Sequence, residues 1–343
     1  MKANLKNRLC SKNAVTLYFI TALYLVVSIL VYGGWASRHL SSMLISISCY
    51  IAMAVSLNLV VGMLGELSLG HAGFMSVGLF AGCLFSIYTV GTLPLIVRLP
   101  GAMLLGGSAA ALAGLVVGLP ALRLKGDYLA IVTLGCGEII KNVITNLNIT
   151  GGALGLNTST IYSGTKTLLP YAIALVFITV LVMMNLKKSK HGRAIMAIRD
   201  NRIAAESNGV DVTYYKLVVF VLSAFFAGAA GAIYGHSFAN VKAATFDYNM
   251  SIEVLVIVVL GGMGSINGAV IAAIALKALP ELLRDISDYR MLVYSVLLIL
   301  IMLLNSSPRF ADMKGRWSIG AMYKMLRYGR KAAVETEVSH GHE

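Results

Sequence analysis

The sequence predicts an all-α polytopic membrane protein, and two observations carry that prediction. The composition is 58% hydrophobic and only 13% charged, with a mean hydropathy of +0.80, whereas soluble proteins carry about 25% charged residues. Stretches of about 20 apolar residues, the length that crosses a bilayer as a helix, recur along the whole chain. We expect about 8–10 membrane segments, some of them re-entrant or broken at glycines.

Hydropathy and charge place these segments in order. The predicted spans are 15–33, 43–62, 65–90, 102–122, 128–147, 168–186 and 217–235, followed by a broken segment over 252–279 and a short span over 291–304. Basic residues flank them: residues 1–13 carry four Lys/Arg and no acid, which predicts a cytoplasmic N-terminal segment. Residues 14–306 form the predicted membrane domain, and 307–343 a basic cytoplasmic tail.

The broken segment is too long for a single crossing. As one helix it would measure about 42 Å, against a hydrocarbon core of about 30 Å. It is interrupted by Gly261-Gly262-Met263-Gly264-Ser265. We therefore predict a hairpin or re-entrant pair that folds at these glycines and has both ends outside.

The one long polar interval lies at 187–216, with seven Lys/Arg against three Asp/Glu, and this excess predicts a cytoplasmic loop. Asp200 and Asn201 are favourable N-cap residues, and Asn208-Gly209 is typical of a helix end. A helix of about two turns, preceded by a helical run over 193–199, would be unstable alone in water. It needs a surface to lie on, either its own membrane domain or a soluble partner; a solvated loop that only satisfies topology is the alternative.

Polar residues within apolar segments are the candidate lining of a translocation pathway, since ionisable groups and helix breaks at membrane depth are often functional. The candidates are Glu66, Ser68, His71, Glu138, Glu253, Gly262, Gly264 and Asn267. Structural interpretations remain open for each group: a tight turn with small-residue contacts over 65–74, and a pair between Glu138 and Lys141 one helical turn apart. Asp127 is a candidate cap of the fifth span, and the Ala/Gly-rich run 223–235 a helix-contact seam.

Several functional classes find no support. The sequence contains no GxxxxGK[ST] phosphate loop, no HExxH and no GxSxG, which argues against an ATPase or a hydrolase. Cys10, Cys49, Cys83 and Cys136 are scattered and predict small apolar contacts rather than a metal site. The chain has a net charge of +13, and its basic residues flank the apolar spans. This distribution favours membrane lipid over nucleic acid as a partner of the chain. We expect no cofactor on this chain.

Four blocks resemble one family. GELSLGHAGFMSVGLF, RLKGDYLAIVTLGCGEII, GRAIMAIRDNRIAAESNGVDVTYYKLVVFVLSAFFAGAAGAIY and SIEVLVIVVLGGMGSINGA are together similar to the LivM-type permeases of bacterial ABC importers for branched-chain amino acids. The likeness runs from about 40 to 305. Two departures are Asn208, where an apolar residue is usual, and Ala269, where a proline is common.

The resemblance implies half of a heterodimeric channel in the bacterial inner membrane. Its partners would be a homologous second permease, two cytoplasmic ATPase subunits that use ATP and Mg²⁺, and an external binding protein that delivers Leu, Ile or Val. The polar loop would contain the coupling helix that inserts into an ATPase groove. The candidate coupling residues are Arg193, Arg199, Asp200, Ala204, Ala205, Glu206 and Gly209.

Two rival functions stay open. The first is a member of the same family that imports urea, short amides or another small solute, because external binding proteins usually set selectivity. The second is a self-sufficient secondary transporter, which would follow a proton or sodium gradient without ATP.

Overall fold

A computed structural model describes residues 38–124 and 126–282, together with positions 295, 296, 299 and 303. Contacts divide the chain into two units, Met1–Ala278 and Leu279–Glu343, and nearly all of the described residues belong to the first. The predicted span 15–33, the segment 1–13 and the tail 307–343 lie outside the described residues, as does the predicted span 291–304 apart from those four positions.

The fold is all-α, as predicted, with one very short sheet. Seven helices of the described part are long and apolar enough to cross a membrane. The helices are α1 Arg38–Asn58, α2 His71–Tyr88, α3 Leu95–Ala121, α4 Asp127–Asn146, α5 Thr165–Lys188, α6 Lys190–Asp200, α7 Arg202–Ser207, α8 Val212–His236, α9 Tyr248–Gly261 and α10 Ile266–Leu282. A π-helical segment, Leu59–Leu64, extends α1.

Two helix starts differ from the predicted spans. The second described span begins at His71 rather than at Gly65, because Gly65 has a left-handed backbone (φ +78°) that ends the π-helical segment. Residues 65–70 then run without helical structure. The third begins at Leu95, seven residues before the predicted 102, after an extended Pro94. Hydropathy did not indicate residues 95–101 as part of the span because they include the charged Arg98, which is buried in the structure.

The core forms around α8. This helix packs most extensively against α3 and α2 and also contacts α1 and α5. A Cβ on Gly78 of α2 would overlap the backbone of Gly228 in α8, and one on Gly231 would overlap the carbonyl of Met75. The predicted seam 223–235 is therefore confirmed as the place where helices approach closely.

The cysteines described by the structure serve as apolar contacts. Cys49 and Cys83 are free and buried, and Cys136 is free and half-buried. This agrees with the prediction for these three, while Cys10 lies outside the described residues.

The predicted fold at the glycines is confirmed, in a hairpin over 248–282, while the position of both its ends outside stays a prediction. Helix α9 ends at Gly261, and α10 begins at Ile266. Gly262 (φ +89°) and Gly264 (φ +80°) give the turn its left-handed backbone, and Gly261 lies directly against Gly268 across the hairpin. The break therefore depends on glycines alone, and Ala269 continues α10 as a buried helical residue.

A small sheet joins two of the connecting segments. Strands β1 Leu156–Asn157 and β2 Asn240–Val241 pair in antiparallel register. Short 3-10 turns at Asn148–Thr150, Gly152–Leu154 and Ala243–Thr245 flank them. The two segments between α4 and α5 and between α8 and α9, both predicted outside, are thus held together.

Candidate coupling surface and polar interior

The polar loop folds as two short capped helices. Ser189 caps α6 by accepting a hydrogen bond from the N–H of Gly192 at 3.0 Å. Asn201 caps α7 by accepting from the N–H of Ala204 at 3.1 Å, and Gly209 follows α7 with φ +79°. The predicted short helix, its cap and its end are therefore present. The loop itself is shorter than 187–216, because α5 extends to Lys188 and α8 begins at Val212.

Asp200 does not act as a cap. It is the last residue of α6, and its Oδ1 accepts from Nε and Nη2 of Arg199 at 3.1 and 2.9 Å. The cap prediction was wrong for Asp200 because α6 continues one residue further than the pattern indicated. Asn201 alone separates the two helices.

Helix α7 buries one small residue and exposes a large apolar one. Ala205 is 4% exposed, whereas Ile203 is 77% exposed. Ala204 and Glu206 are also exposed, and Glu206 pairs with Arg202 at 3.0 Å. The exposed side of α7 therefore combines the apolar Ile203 with Ala204 and the charged Glu206. We call Ile203, Ala204, Glu206 and Gly209 the coupling surface.

Helix α6 carries two predicted coupling residues with different surroundings. Its apolar side is buried through Ile195 and Ile198, so this helix lies on the membrane domain. Arg193 is exposed and donates to the carbonyl of Lys188 at 3.3 Å. Arg199 is half-exposed and donates to the carbonyl of Gly62 at 3.0 Å.

Glu66 forms an ion pair that the sequence analysis did not predict. Its partner is Lys216 in the second turn of α8, whose side chain is 4% exposed against 14% for Glu66. In the sequence, Lys216 is the last residue of the polar interval 187–216. Its partner is 150 positions away, so no local pattern could have indicated the pair.

His71 is at the centre of a buried polar cluster. Its Nε2 lies 3.2 Å from the hydroxyl of Ser56 and 3.0 Å from that of Ser223. The ring is 1% exposed, and Nδ1 is buried without a hydrogen-bond partner in the described part. Ser68, three residues earlier, is fully buried, and its hydroxyl likewise has no partner among the described residues.

Glu138 and Asp127 on α4 have different outcomes. Glu138 pairs with Lys141, as predicted, and also accepts from the N–H of Tyr248 at 2.9 Å. Asp127 makes no capping hydrogen bond, since Gly126 occupies the N-cap position and Asp127 is already in the first turn. The predicted cap was wrong for that reason, but Asp127 does lie at the N-terminus of α4, where the helix dipole favours an anion.

Glu253 joins the two arms of the hairpin. Its carboxylate lies 2.7 Å from Nζ of Lys277 in α10. The same ammonium is 3.4 Å from the centre of the Tyr50 ring in α1, a cation–π geometry. Gly262 and Gly264 form the turn, and Asn267 is exposed at the start of α10.

Most of the predicted pathway residues lie in the hairpin or beside a residue that contacts it. Tyr248 contacts Glu138, and the Ser251 hydroxyl accepts from the N–H of Ala72, the neighbour of His71, at 3.2 Å. At the turn, Gly264 donates to Asn58 Oδ1 at 2.8 Å. Glu66 and Ser68 are not among the hairpin's contacts described here. The role of all these residues in a pathway stays a prediction.

Comparison with known proteins places this arrangement in a family. The family described as the permease component of branched-chain amino acid transport systems matches residues 39–304, which include every helix described above except the first residue of α1. The chain belongs to this permease family. Its fold class, a multi-pass membrane permease, follows from that match together with the seven apolar helices.

Individual relatives agree with the family. The high-affinity branched-chain amino acid transport system permease proteins LivM of Salmonella typhimurium and Escherichia coli K12 are each 36% identical over 285 residues, which cover 74% of this chain. The aligned part spans 66% of the length of each relative. The L-arabinose permease AraH of Azospirillum brasilense is 24% identical over 88% of the chain and 89% of its own length. No solved structure gave a significant match.

Proposed function

We propose that this permease is the membrane subunit of an ATP-driven importer that carries Leu, Ile or Val across the bacterial inner membrane. The names of the two relatives at 36% identity support the solute class. This chain binds no cofactor of its own in the proposal. ATP and Mg²⁺ are used by separate ATPase subunits.

The observation that carries the proposal is the coupling surface. Helix α7 has only six residues, too few to be stable alone in water. It is nevertheless capped at both ends and holds Ile203 away from its own membrane domain at 77% exposure. A short, capped helix with an outward apolar residue fits insertion into a groove of a soluble partner.

The proposed orientation follows from charge. Seven Lys/Arg over 187–216 favour a cytoplasmic position for α6 and α7, and the ATPases are cytoplasmic in the proposal. The N- and C-terminal segments lie on the same side. The opposite side, with β1 and β2, then faces the external binding protein, and a homologous second permease completes the channel.

Co-purification tests the assembly directly. We would purify the tagged chain from its native membranes in mild detergent and identify its partners by mass spectrometry. Recovery of a second permease and of ATPase subunits supports the importer. A chain that is recovered alone, and that still transports after reconstitution, contradicts it.

A pair of substitutions tests the coupling surface. Ile203→Asp puts a charge where an apolar contact is proposed, and we expect loss of the ATPase subunits from the purified complex. Ile149→Asp is the matched control, since Ile149 is also exposed (65%) but follows α4, in a segment predicted outside. Equal ATPase recovery in both variants would contradict docking at α7.

Transport assays decide between solutes and energy sources. The likeness to a sugar permease at 24% identity keeps other small solutes open, as do urea and short amides. In proteoliposomes with the binding protein, we expect labelled leucine uptake that requires ATP and that isoleucine and valine inhibit. Inhibition by urea or arabinose instead would change the solute, and uptake on a proton or sodium gradient without ATP would indicate a secondary transporter.

A further inference from the structure

Two breaks in the helical backbone touch each other beside the polar loop. The first is the π-helical segment Leu59–Leu64 with the left-handed Gly65, and the second is the hairpin turn at 262–265. Gly264 N–H donates to Asn58 Oδ1 at 2.8 Å, and a Cβ on Gly62 would overlap the nitrogen of Gly264. We call these two segments the paired breaks.

Arg199 lies across the paired breaks. Its Nη1 donates to the carbonyl of Gly62 at 3.0 Å. Its aliphatic stem covers Gly65, since a Cβ there would be 2.6 Å from Arg199 Cγ. A Cβ on Gly264 would be 3.9 Å from Nη1. One side chain of α6 therefore adjoins both breaks.

Two further cations of the same region end at the paired breaks or beside them. Lys187, in the last turn of α5, donates through Nζ to the carbonyl of Gly264 at 2.7 Å. Lys216, in α8, pairs with Glu66, the residue after Gly65. Together with Arg199 of α6, the cations therefore come from three helices that precede or follow α7 in the chain, namely α5, α6 and α8.

Physical chemistry explains why charged donors are placed there. A π-helical segment and a glycine turn interrupt the regular i→i−4 hydrogen bonding, and non-helical backbone near the membrane must be satisfied by protein groups. Hydrogen bonds from charged donors are shorter and stronger than neutral ones. Each donor also connects a break to a different helix. Movement of that helix therefore changes the hydrogen bond that stabilises the break.

We propose that Arg199 is a positioning residue that transmits movement of α6 and α7 to the paired breaks and so controls opening of the permease on the side of the polar loop. The inference rests on the proposed function, because an ATPase bound at α7 supplies the movement. Arg199 is three positions before Arg202, where α7 begins, and Asp200 between them accepts two hydrogen bonds from its guanidinium. Displacement of α7 therefore alters the bond to Gly62 directly. Lys187 holds the turn from a second helix.

The test separates ATP hydrolysis from transport. In the purified full complex with binding protein, Arg199→Gln should keep its ATPase subunits and hydrolyse ATP, while leucine uptake per ATP falls at least about tenfold. Arg199→Lys should retain part of the leucine uptake per ATP, since its ammonium group can still donate to the carbonyl of Gly62. Lys190→Gln is the control: it removes an exposed cation from the same helix and should leave the ratio unchanged.

A second readout follows the turn itself. Met263 in the turn is 62% exposed, so Met263→Cys in a Cys10→Ser, Cys136→Ala background reports its accessibility to a membrane-impermeant maleimide. Trapping the ATPases with ATP and vanadate should change the labelling rate at least about threefold in the otherwise unchanged protein. The same change should be absent when Arg199→Gln is added.

The outcomes are distinct. Unchanged uptake per ATP and an unchanged labelling response in Arg199→Gln would overturn the inference while leaving the importer intact. Loss of the ATPases from Arg199→Gln would assign Arg199 to docking and also overturn it. Absence of ATP-dependent uptake before any substitution would overturn the proposed function and this inference together. Should Arg199→Gln fail to reach the membrane, Lys187→Gln removes the donor on Gly264 from another helix, and the same two measurements decide.

Discussion

The carboxylate of Glu138 accepts a hydrogen bond from the backbone N–H of Tyr248 at 2.9 Å. Glu138 lies in the middle of α4, whereas Tyr248 is the first residue of α9. The first N–H groups of a helix have no partner within it, and an anion favours the positive end of the helix dipole. Asp247 adds a side-chain cap on Met250 at 3.2 Å. Two carboxylates thus fix where the hairpin begins.

Removing the Glu138 oxygen should destabilise the start of α9. We expect Glu138→Ala to lower the free energy of unfolding by about 0.5–1.5 kcal/mol, because the N–H of the exposed Tyr248 loses its hydrogen bond to the carboxylate. Glu138→Gln keeps an acceptor oxygen at the same place and should lose less. The melting temperatures of the two variants in the same detergent provide the measurement. Equal losses would show that the negative charge, rather than the acceptor, is what the hairpin requires.

The close approach of α3 and α8 should tolerate no side chain at Gly228. A Cβ there would overlap Ala110 and approach the carbonyl of Gly106 to 2.7 Å, so at least two helices have to move apart. Overpacking of this kind costs about 3 kcal/mol, and we expect Gly228→Ala to lower the melting temperature clearly. Gly135→Ala in α4 is the matched control, since a Cβ there meets nothing within 4 Å. It should be neutral or slightly stabilising, and similar losses in both variants would contradict this account.

Features with a local cause could be predicted from the sequence. The glycine turn of the hairpin, the cap at Asn201, the end at Gly209 and the pair Glu138–Lys141 each depend on residues a few positions apart. Turn, cap and helix-face rules act over that distance. The number and order of apolar helices in the described part follow from hydropathy for the same reason.

Features that depend on distant contacts could not be predicted. Arg199 and Gly62 are 137 positions apart, and Lys216 and Glu66 are 150 apart. Hydropathy treats any cation as solvated, so it assigned Lys216 to the loop although its side chain is 4% exposed. Ile203 was missed because an isoleucine in a helical pattern is usually buried, and only the fold shows which side of α7 faces outward.

The two histidines that are buried in the described part, His71 and His236, should have opposite tautomers. The hydroxyl of Ser56 donates to the Met53 carbonyl, and that of Ser223 donates to the Ser56 carbonyl, each at 2.8 Å. Both hydroxyls are therefore acceptors toward His71, whose Nε2 must carry the hydrogen. In His236 the carbonyl of Ala232 lies 2.7 Å from Nδ1, and a carbonyl only accepts, so Nδ1 carries the hydrogen there.

Nitrogen NMR of ¹⁵N-histidine-labelled protein checks these tautomers. We expect a neutral ring protonated at Nε2 for His71 and at Nδ1 for His236, with assignment by His71→Gln and His236→Gln. Ser223→Ala should leave the His71 tautomer unchanged, because Ser56 still accepts. A His71 signal with a protonated Nδ1 would contradict the hydrogen-bond directions in this cluster.

Gly209 should be required for its backbone rather than for space. Its φ of +79° is left-handed, yet a Cβ there would meet nothing within 4 Å. A β-branched residue in this conformation costs about 1–3 kcal/mol, whereas asparagine adopts it readily. We therefore expect Gly209→Val to lower ATP-dependent leucine uptake several-fold by displacing the end of α7, and Gly209→Asn to remain close to the unsubstituted protein. Uptake is measured in assembled complex at matched expression. If the valine variant transports normally, the left-handed end of α7 does not contribute to coupling; if both variants lose uptake equally, a side chain of any kind obstructs the partner at this position.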